Sequence, residues 1–243
     1  MRGALLAPNT EKSSGSAVKS SEVYAIALDG PSGAGKSTVA KIVAKRLNIT
    51  YLDTGALYRA LGLVCLNNGV DVQDGKAVQN CICDVDVNIV YCDGVQTVTV
   101  DGVDVSSKIR TPEVSMAASA VSAIPYVREK LLGLQRGIAQ KNSVILDGRD
   151  IGTVVLPNAR FKFFLTASAE IRARRRFDEL IAKGQSVVYE DVYNDVVTRD
   201  RNDSTRAVAP LKKACDATEI NSDNMSAQQV AEYICAAVVG DMQ

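Results

Sequence analysis

Three continuous apolar runs along the chain have the length and composition of buried parallel strands. They lie at 23–28, 143–147 and 161–166. A helical pattern of apolar residues over 39–47 follows the first run, and a long helix is predicted to begin near Ser168, after the third. Strands that alternate with helices indicate an α/β fold with a doubly wound parallel sheet.

Segment 84–105 departs from this pattern. Its apolar residues alternate at period two from Val85 to Tyr91, and Asp-Gly pairs stand at 93–94 and 101–102. Such pairs are typical of tight hairpin turns. We therefore predict a small antiparallel β-meander inserted into the α/β domain.

The end of the chain predicts a final helix. Ser226 and Gln229 have the spacing of a capping box, in which each side chain binds the other's backbone N–H. The expected apolar face, which would pack on the sheet, comprises Val230, Tyr233, Ile234, Ala237 and Val238.

The composition excludes disorder as a description of the whole chain. Its 243 residues are 47% hydrophobic and 23% charged, enough to bury a sizeable core. Residues 1–21 are rich in Ser, Lys, Ala and Gly and are predicted to form a flexible tail. No apolar run approaches the roughly 20 residues that span a bilayer. The apolar stretch between Met1 and Pro8 is too short for a secretory signal. We expect a cytoplasmic protein without membrane contact.

The charge balance narrows the choice of partners. The 28 basic and 28 acidic side chains cancel, which argues against nucleic acid as a partner of the whole protein. The charges are unevenly distributed, since 80–107 holds five Asp and no Lys or Arg, whereas 172–213 holds ten basic and seven acidic residues. The basic stretch is either a solvated face or a site for a polyanionic substrate.

Two further residue types limit the chemistry. Histidine is absent, which excludes Ser-His-Asp hydrolases, Cys-His proteases and most zinc enzymes. The six cysteines are expected to be reduced, because a chain of this size folds without disulfides. Cys81, Cys83 and Cys92 lack the usual spacing of metal ligands and are interpreted as small apolar side chains.

A glycine-rich segment follows the first predicted strand. It matches the phosphate-binding motif G-x-x-x-x-G-K-[ST] and opens an amphipathic helix, the context in which this motif is specific. Its backbone N–H groups attract phosphate, Lys36 reaches the β and γ oxygens, and the Ser37 hydroxyl can bind Mg²⁺. The predicted ATP-binding residues are Gly30, Pro31, Ser32, Gly33, Ala34, Gly35, Lys36, Ser37 and Thr38.

A second group of charges follows the predicted strand at 143–147. Asp147 ends that strand and is predicted to bind Mg²⁺ together with Ser37. Arg149 and Asp150 come next, so a guanidinium and two carboxylates lie at the carboxyl end of a parallel strand. Ligands of α/β proteins bind at this edge of the sheet.

Arginine is the side chain best suited to grip phosphate oxygens with two donors. The arginines that could do so are Arg59, Arg128, Arg149, Arg174, Arg175, Arg176, Arg199, Arg201 and Arg206. The four arginines between 172 and 176 cannot share one helix face, because neighbouring side chains lie about 100° apart. At least one of them should point to solvent.

Four segments together resemble the bacterial cytidylate kinase family. They are AIALDGPSGAGKST at 25–38, LDTGALYR at 52–59, ILDGRDIGTVV at 145–155 and RAVAP at 206–210. The resemblance runs from about Val23 to the end and implies transfer of the γ-phosphoryl group of ATP to CMP or dCMP. It implies a three-layer P-loop fold with a parallel sheet, a small antiparallel β insert and a helical lid.

The resemblance also implies a division of the chain and a role for single residues. The kinase domain would span 22–243, with a core at 22–60, 140–168 and 207–243, a nucleoside-monophosphate-binding region at 61–139 and a lid at 169–206. Thr54, Arg59, Arg149 and Arg206 would hold the acceptor phosphate. Ser119, Arg128 and Asp150 would contact cytosine, and Arg199 and Asp203 the ribose. The predicted catalytic residues are Lys36, Arg149, Arg206 and one of Arg174, Arg175 and Arg176.

The chemistry of the substrates agrees with these roles. Cytosine carries an amino donor at N4 beside acceptors at N3 and O2, which complement a carboxylate such as Asp150 and a guanidinium such as Arg128. The acceptor phosphate is already anionic, so no general base is needed and the lack of histidine is explained.

Two other interpretations stay open at this point. The first is a P-loop kinase that acts on AMP, UMP or shikimate. The second is a non-catalytic NTP-binding protein such as a GTPase, which would need an N-K-x-D segment that the sequence lacks. Beyond nucleotides and Mg²⁺ no partner is indicated, and we expect a monomer.

Overall fold

Strands and helices alternate along the part of the chain that the computed structural model describes, residues 23–92 and 94–242. The strands are β1 Ala25–Asp29, β2 Thr50–Asp53, β3 Val87–Cys92, β4 Val95–Val100, β5 Val103–Asp104, β6 Val144–Gly148, β7 Phe161–Thr166 and β8 Thr218–Asn221. The helices are α1 Lys36–Leu47, α2 Thr54–Asn67, α3 Gly75–Ile82, α4 Pro112–Val121, α5 Pro125–Lys141, α6 Ala169–Ala182, α7 Tyr189–Thr205 and α8 Ala227–Met242, with a π-helical turn at Ile151–Val155. The predicted tail at 1–21 lies outside the described residues.

The central sheet is parallel, and in the described chain it has five strands in the order β2-β6-β1-β7-β8. The three strands predicted from apolar runs are its middle strands. Ala25 pairs with Val144 of β6, and Ile26 pairs with Phe161 of β7. Because the strands are parallel, the glycine-rich segment after β1 and the charged segment after β6 leave the sheet side by side.

Helices cover both faces of this sheet. On one face, α1 and α8 pack on Ile26, Leu28 and Ile145, and on the other, α5 and the π-helical turn pack near Leu52 and Leu146. Each of these side chains is fully buried, and burial of a Leu or Ile side chain stabilises a fold by about 1.5–3 kcal/mol. The predicted three-layer α/β fold is confirmed.

The β insert is also confirmed. β3, β4 and β5 form an antiparallel sheet, and Val100 pairs with Val103 across a two-residue turn. Asp101 and Gly102 in this turn both have positive φ angles, 49° and 78°, as its geometry requires. Asp93 of the other predicted turn lies outside the described residues. The inner face of the insert packs on α2, through a second core that includes Val87, Val98, Leu57 and Leu61.

The capping box of α8 forms as predicted, but the buried face of the helix is partly different. Val230, Ile234 and Val238 are buried, whereas Tyr233 and Ala237 are exposed. This part of the prediction is wrong, because the helix is rotated so that Ala231 faces α1 and the sheet. Ala231 is fully buried in the same core cluster as Val39, Ala40 and Val43 of α1.

In the described residues, no helix is both long enough and apolar enough to cross a membrane.

The capping box predicts a measurable stability contribution. The Ser226 hydroxyl accepts from the Gln229 N–H at 3.2 Å, and the Gln229 side chain accepts from the Ser226 N–H at 2.9 Å. Ser226→Ala should lower the free energy of unfolding by about 1 kcal/mol, because the Gln229 N–H loses its partner. Ser226→Thr keeps the hydroxyl and serves as the control in urea denaturation. Equal unfolding midpoints for the two variants would contradict the prediction.

Candidate active site

A cleft opens at the carboxyl ends of β1, β2 and β6, with a cavity volume of about 630 Å³. Among the described residues that line it, eleven carry a cationic side chain and five carry a carboxylate. Such an excess of positive charge in a concave surface attracts anions and raises their local concentration. The cleft therefore favours a polyanionic ligand.

The glycine-rich segment forms one wall of this cleft. Ser32, Gly33, Gly35, Lys36, Ser37 and Thr38 line the cavity. Gly30 is required by its surroundings, because a Cβ atom there would lie 2.0 Å from the carbonyl oxygen of Leu165. Gly35 directly precedes α1 and has a φ of 91°, which other residues rarely adopt. Gly30, Pro31 and Ala34 shape the segment without lining the cavity.

Lys36 lies at the first position of α1 and is buried. Its Nζ donates a hydrogen bond to the carbonyl oxygen of Pro31 at 2.6 Å. Burial and the positive charge of Arg149 together lower the pKa of Lys36 to about 7, against the opposing effect of Asp147 and Asp203. A phosphate beside this amine would favour its charged form.

Ser37 and Asp147 bring two oxygen groups together next to Lys36. The Ser37 hydroxyl donates to Asp147 Oδ2 at 2.6 Å, and the Tyr51 hydroxyl lies 3.3 Å from Asp147 Oδ1. Burial and the neighbouring Asp53 raise the pKa of Asp147 to about 6. Hydroxyl and carboxylate oxygens are the ligands that Mg²⁺ prefers, and Mg²⁺ usually completes its shell with water and phosphate. The two residues fit such an ion.

Arg128, Arg206 and Asp150 form a buried ion-pair cluster on the opposite side of the cleft. Arg128 pairs with Asp150, and Arg206 lies 3.4 Å from the second oxygen of the same carboxylate. The Arg128 guanidinium also donates to the Ser122 carbonyl oxygen at 3.2 Å, and the Arg206 guanidinium donates to the Ser122 hydroxyl at 3.1 Å. Ser119 lines the cavity beside them, and its carbonyl oxygen accepts from the Ser122 hydroxyl at 2.8 Å.

Arg149 and Asp203 form a second pair between β6 and α7. Arg149 Nε donates to Asp203 at 2.7 Å. Burial would raise the pKa of Asp203, but the charge and hydrogen bond of Arg149 outweigh it, and the pKa lies below its usual value. Arg199 lines the cleft nearby, and burial together with the charge of Arg149 lowers its pKa.

Thr54 and Arg59 lie at the start of α2. The Thr54 hydroxyl donates to the carbonyl oxygen of Asp147 at 2.7 Å, and Arg59 donates to Asp53 at 2.7 Å. The Arg59 Nε group is buried and has no hydrogen-bond partner among the described residues. A buried donor without a partner is costly, so it favours an acceptor in the cleft.

The three consecutive arginines of α6 separate as helix geometry requires. Arg175 and Arg176 line the cleft, where Arg175 donates to the Ser222 carbonyl oxygen at 2.7 Å and Arg176 to Glu179 at 2.9 Å. Arg174 is exposed and is not brought to the cleft, because its guanidinium lies over the ring of Tyr189, 4.7 Å from the centroid. Arg201 is also exposed and outside the cleft lining.

Similar sequences identify the family of this chain. The cytidylate kinase family model matches residues 26–239. The cytidylate kinase of Caldicellulosiruptor bescii is 50% identical over 209 residues, which cover 86% of this chain and 92% of that protein. The cytidylate kinase of Carboxydothermus hydrogenoformans is 49% identical over 205 residues, or 84% and 92% of the two chains. The chain belongs to the cytidylate kinase family.

The family resemblance inferred from four short motifs is thus confirmed over most of the chain. Among solved structures, a shikimate kinase from Acinetobacter baumannii in complex with shikimate aligns with 90% of this chain and 94% of its own. Its TM-score is 0.42 and its identity 17%, too low to bear on the acceptor of a cytidylate kinase family member.

Several residues of the cleft were not predicted from the sequence. Lys41, Arg110 and Lys183 add positive charge, and Asp53 and Tyr58 also line the cavity. Asp53 and Tyr58 belong to the quoted segment at 52–59, so that motif could have indicated them. Arg110 and Lys183 stand in no recognisable motif, and only the packing of α4 and α6 brings them to the cleft.

Asp29 links the two walls of the cleft in this kinase family member. It ends β1, is buried, and accepts hydrogen bonds from the backbone N–H groups of Ile151 and Gly152, both at 2.7 Å. The segment that carries Arg149 and Asp150 is therefore tied to the strand that carries the glycine-rich segment. Burial raises the pKa of Asp29 from 3.8 to about 6, against the opposing effect of the two hydrogen bonds.

This raised pKa predicts a pH-dependent stability difference. The folded carboxyl of Asp29 binds a proton before the unfolded one as the pH falls from about 7 to about 4. As the pH falls over this range, the free energy of unfolding of the wild type should therefore rise relative to that of Asp29→Asn. Urea denaturation at several pH values measures it, with exposed Asp191→Asn as the control for loss of one carboxylate. A constant difference between wild type and Asp29→Asn would contradict the prediction.

Proposed function

We propose that this protein transfers the γ-phosphoryl group of ATP to CMP and dCMP, which gives CDP and dCDP. One observation carries the proposal: a phosphate-binding segment and the cluster of Arg128, Asp150 and Arg206 line the same cavity. The first is suited to a triphosphate and the second to a cytosine nucleotide. Membership of the cytidylate kinase family supports the same reaction.

The acceptor phosphate is proposed to bind Thr54, Arg59, Arg149 and Arg206. Three of these residues supply guanidinium groups, which grip phosphate oxygens through two donors. The unpartnered Arg59 Nε supports this role, because a phosphate oxygen would satisfy it. Arg199 and Asp203 are proposed to contact the ribose on the α7 side of the cleft.

The base is proposed to bind Ser119, Arg128 and Asp150. The buried Asp150 carboxylate accepts hydrogen bonds and suits the cytosine amino group, while Arg128 donates and suits the ring acceptors. Uracil presents a carbonyl oxygen at the position of that amino group, so a buried carboxylate would be left facing another acceptor. A site discriminates strongly against a substrate that leaves one of its buried hydrogen-bonding groups without a partner.

The donor side is proposed to consist of residues 30–38 with Ser37 and Asp147 as Mg²⁺ ligands. An Mg²⁺ ion held by these two residues would supply positive charge that neutralises part of the phosphate charge. Lys36 and the glycine-rich segment hold the β and γ phosphates in line with the acceptor oxygen. Arg149, Arg206 and a lid arginine balance the charge that spreads over the transferring group, and Arg175 and Arg176 are the lid candidates that line the cleft.

The surrounding chain is proposed to divide as the family resemblance implies, with a core, a monophosphate-binding region at 61–139 and a lid at 169–206. Closure of the lid would exclude water and prevent hydrolysis of ATP. A monomer in the cytoplasm remains our expectation. The cysteines are free thiols in the structure, which suits a reducing compartment.

The function is tested by an acceptor panel. Purified protein with ATP and Mg²⁺ should release ADP fastest with CMP and dCMP, and more slowly with UMP, AMP and shikimate. A maximum at another acceptor would support the alternative small-molecule kinase. ATP binding without acceptor-dependent ADP release would support a non-catalytic NTP-binding protein. Either result contradicts the proposed function.

Lys36→Ala should separate catalysis from stability. Loss of the amine that faces the phosphates should lower kcat by about 100-fold or more. The unfolding midpoint should change little, because Lys36 is buried at a cost to its charged form. Lys45→Ala, on the exposed side of the same helix, is the matched control. Full CMP-dependent ADP production by Lys36→Ala would contradict the mechanism.

A further inference from the structure

The Gln96 side chain in β4 joins the β insert to the end of β2. Its Oε1 accepts from the backbone N–H of Asp53 at 2.7 Å, and its Nε2 donates to the backbone carbonyl oxygen of Asp53 at 3.1 Å. β2 is an edge strand of the central sheet, so in the described part of the chain no neighbouring strand pairs with these two backbone groups. A primary amide has the donor and acceptor of a peptide group, and here it replaces a neighbouring strand.

The Asp53 side chain contacts both the start of α2 and two arginines of the cleft. Its carboxylate accepts from the Ala56 N–H at 3.0 Å and so caps α2. The same carboxylate binds Arg59 at 2.7 Å and lies 3.8 Å from Arg110. Arg59 and Arg110 both line the cleft. The backbone position of Asp53 therefore sets where these guanidinium groups point.

Gln96 does not itself line the cleft. Its effect on the cleft must pass through Asp53, first to the capped end of α2 and then to Arg59. Tyr91 makes a comparable bond between the same two sheets, since its hydroxyl donates to the Tyr51 carbonyl oxygen at 3.0 Å. Tyr51, which accepts this second bond, lies two residues before Asp53. In the described structure it makes no hydrogen bond with Arg59 that the Tyr91 bond could position.

We infer that Gln96 is a positioning residue for the acceptor-phosphate site, through which the β insert fixes Asp53 and, with it, Arg59. The inference rests on the proposed function, because it takes Arg59 as a ligand of the CMP phosphate. It assigns the β insert a part in acceptor binding although Gln96 never touches the substrate.

The test compares Gln96→Leu with Tyr91→Phe in steady-state kinetics with CMP and ATP. Gln96→Leu removes both bonds to Asp53, and KM for CMP should rise by about fivefold or more, the effect of losing about one hydrogen bond at the site. KM for ATP should stay within about twofold of the wild type, because residues 30–38 are untouched. Tyr91→Phe should leave both KM values within about twofold while also lowering the unfolding midpoint, because it removes a bond between the same two sheets.

The possible outcomes separate the inference from the proposed function. An unchanged KM for CMP in Gln96→Leu would overturn the inference, as would an equal rise of this KM in Tyr91→Phe. Gln96 would then only stabilise the contact between the two sheets. A wild type that does not phosphorylate CMP would overturn both. If Gln96→Leu fails to fold, Gln96→Asn, whose amide is one methylene too short to make both bonds, carries the same expectation.

Discussion

Ion pairs between arginines and carboxylates hold one side of the cleft in place before any nucleotide binds. The pairs are Arg59 with Asp53, Arg128 with Asp150, Arg149 with Asp203 and Arg206 with Asp150. Removal of one partner from such a buried pair leaves an uncompensated charge, which is strongly destabilising. The carboxylates therefore do two things: they make burial of the guanidinium groups tolerable, and they fix the direction in which the remaining N–H donors point.

The parallel sheet is what brings these pairs together. β1, β2 and β6 end at the same edge, so Asp29, Asp53 and Asp147 lie close to each other although they are far apart along the chain. Helices α6 and α7 add Arg175, Arg176 and Arg199 from the other side. Of the two interpretations of the basic stretch at 172–213, the site for a polyanion is the one that this arrangement favours.

The parts of this arrangement that follow local rules could be predicted from the sequence. The strand, glycine-rich segment and helix were evident from residues 23–47, and the Asp-Gly turn at 101–102 revealed the insert. Contacts between distant residues could not be predicted, such as Arg149 with Asp203. Arg174, Arg175 and Arg176 all lie in one helix, and only the packing of Arg174 against Tyr189 decides that this side chain lies outside the cleft. Likewise, the rotation of α8 depends on its fit to α1, and nothing near Gln96 in the sequence points to Asp53.

The central claim is that oriented guanidinium groups bind the phosphate of a cytosine nucleotide. Calorimetric titration of nucleotide-free protein with CMP and with cytidine tests it most directly, because the two ligands differ only in that phosphate. Charge-assisted hydrogen bonds contribute about 1.5–3 kcal/mol each, so CMP should bind about 100-fold more tightly than cytidine or better. Equal affinities for the two ligands would contradict the account.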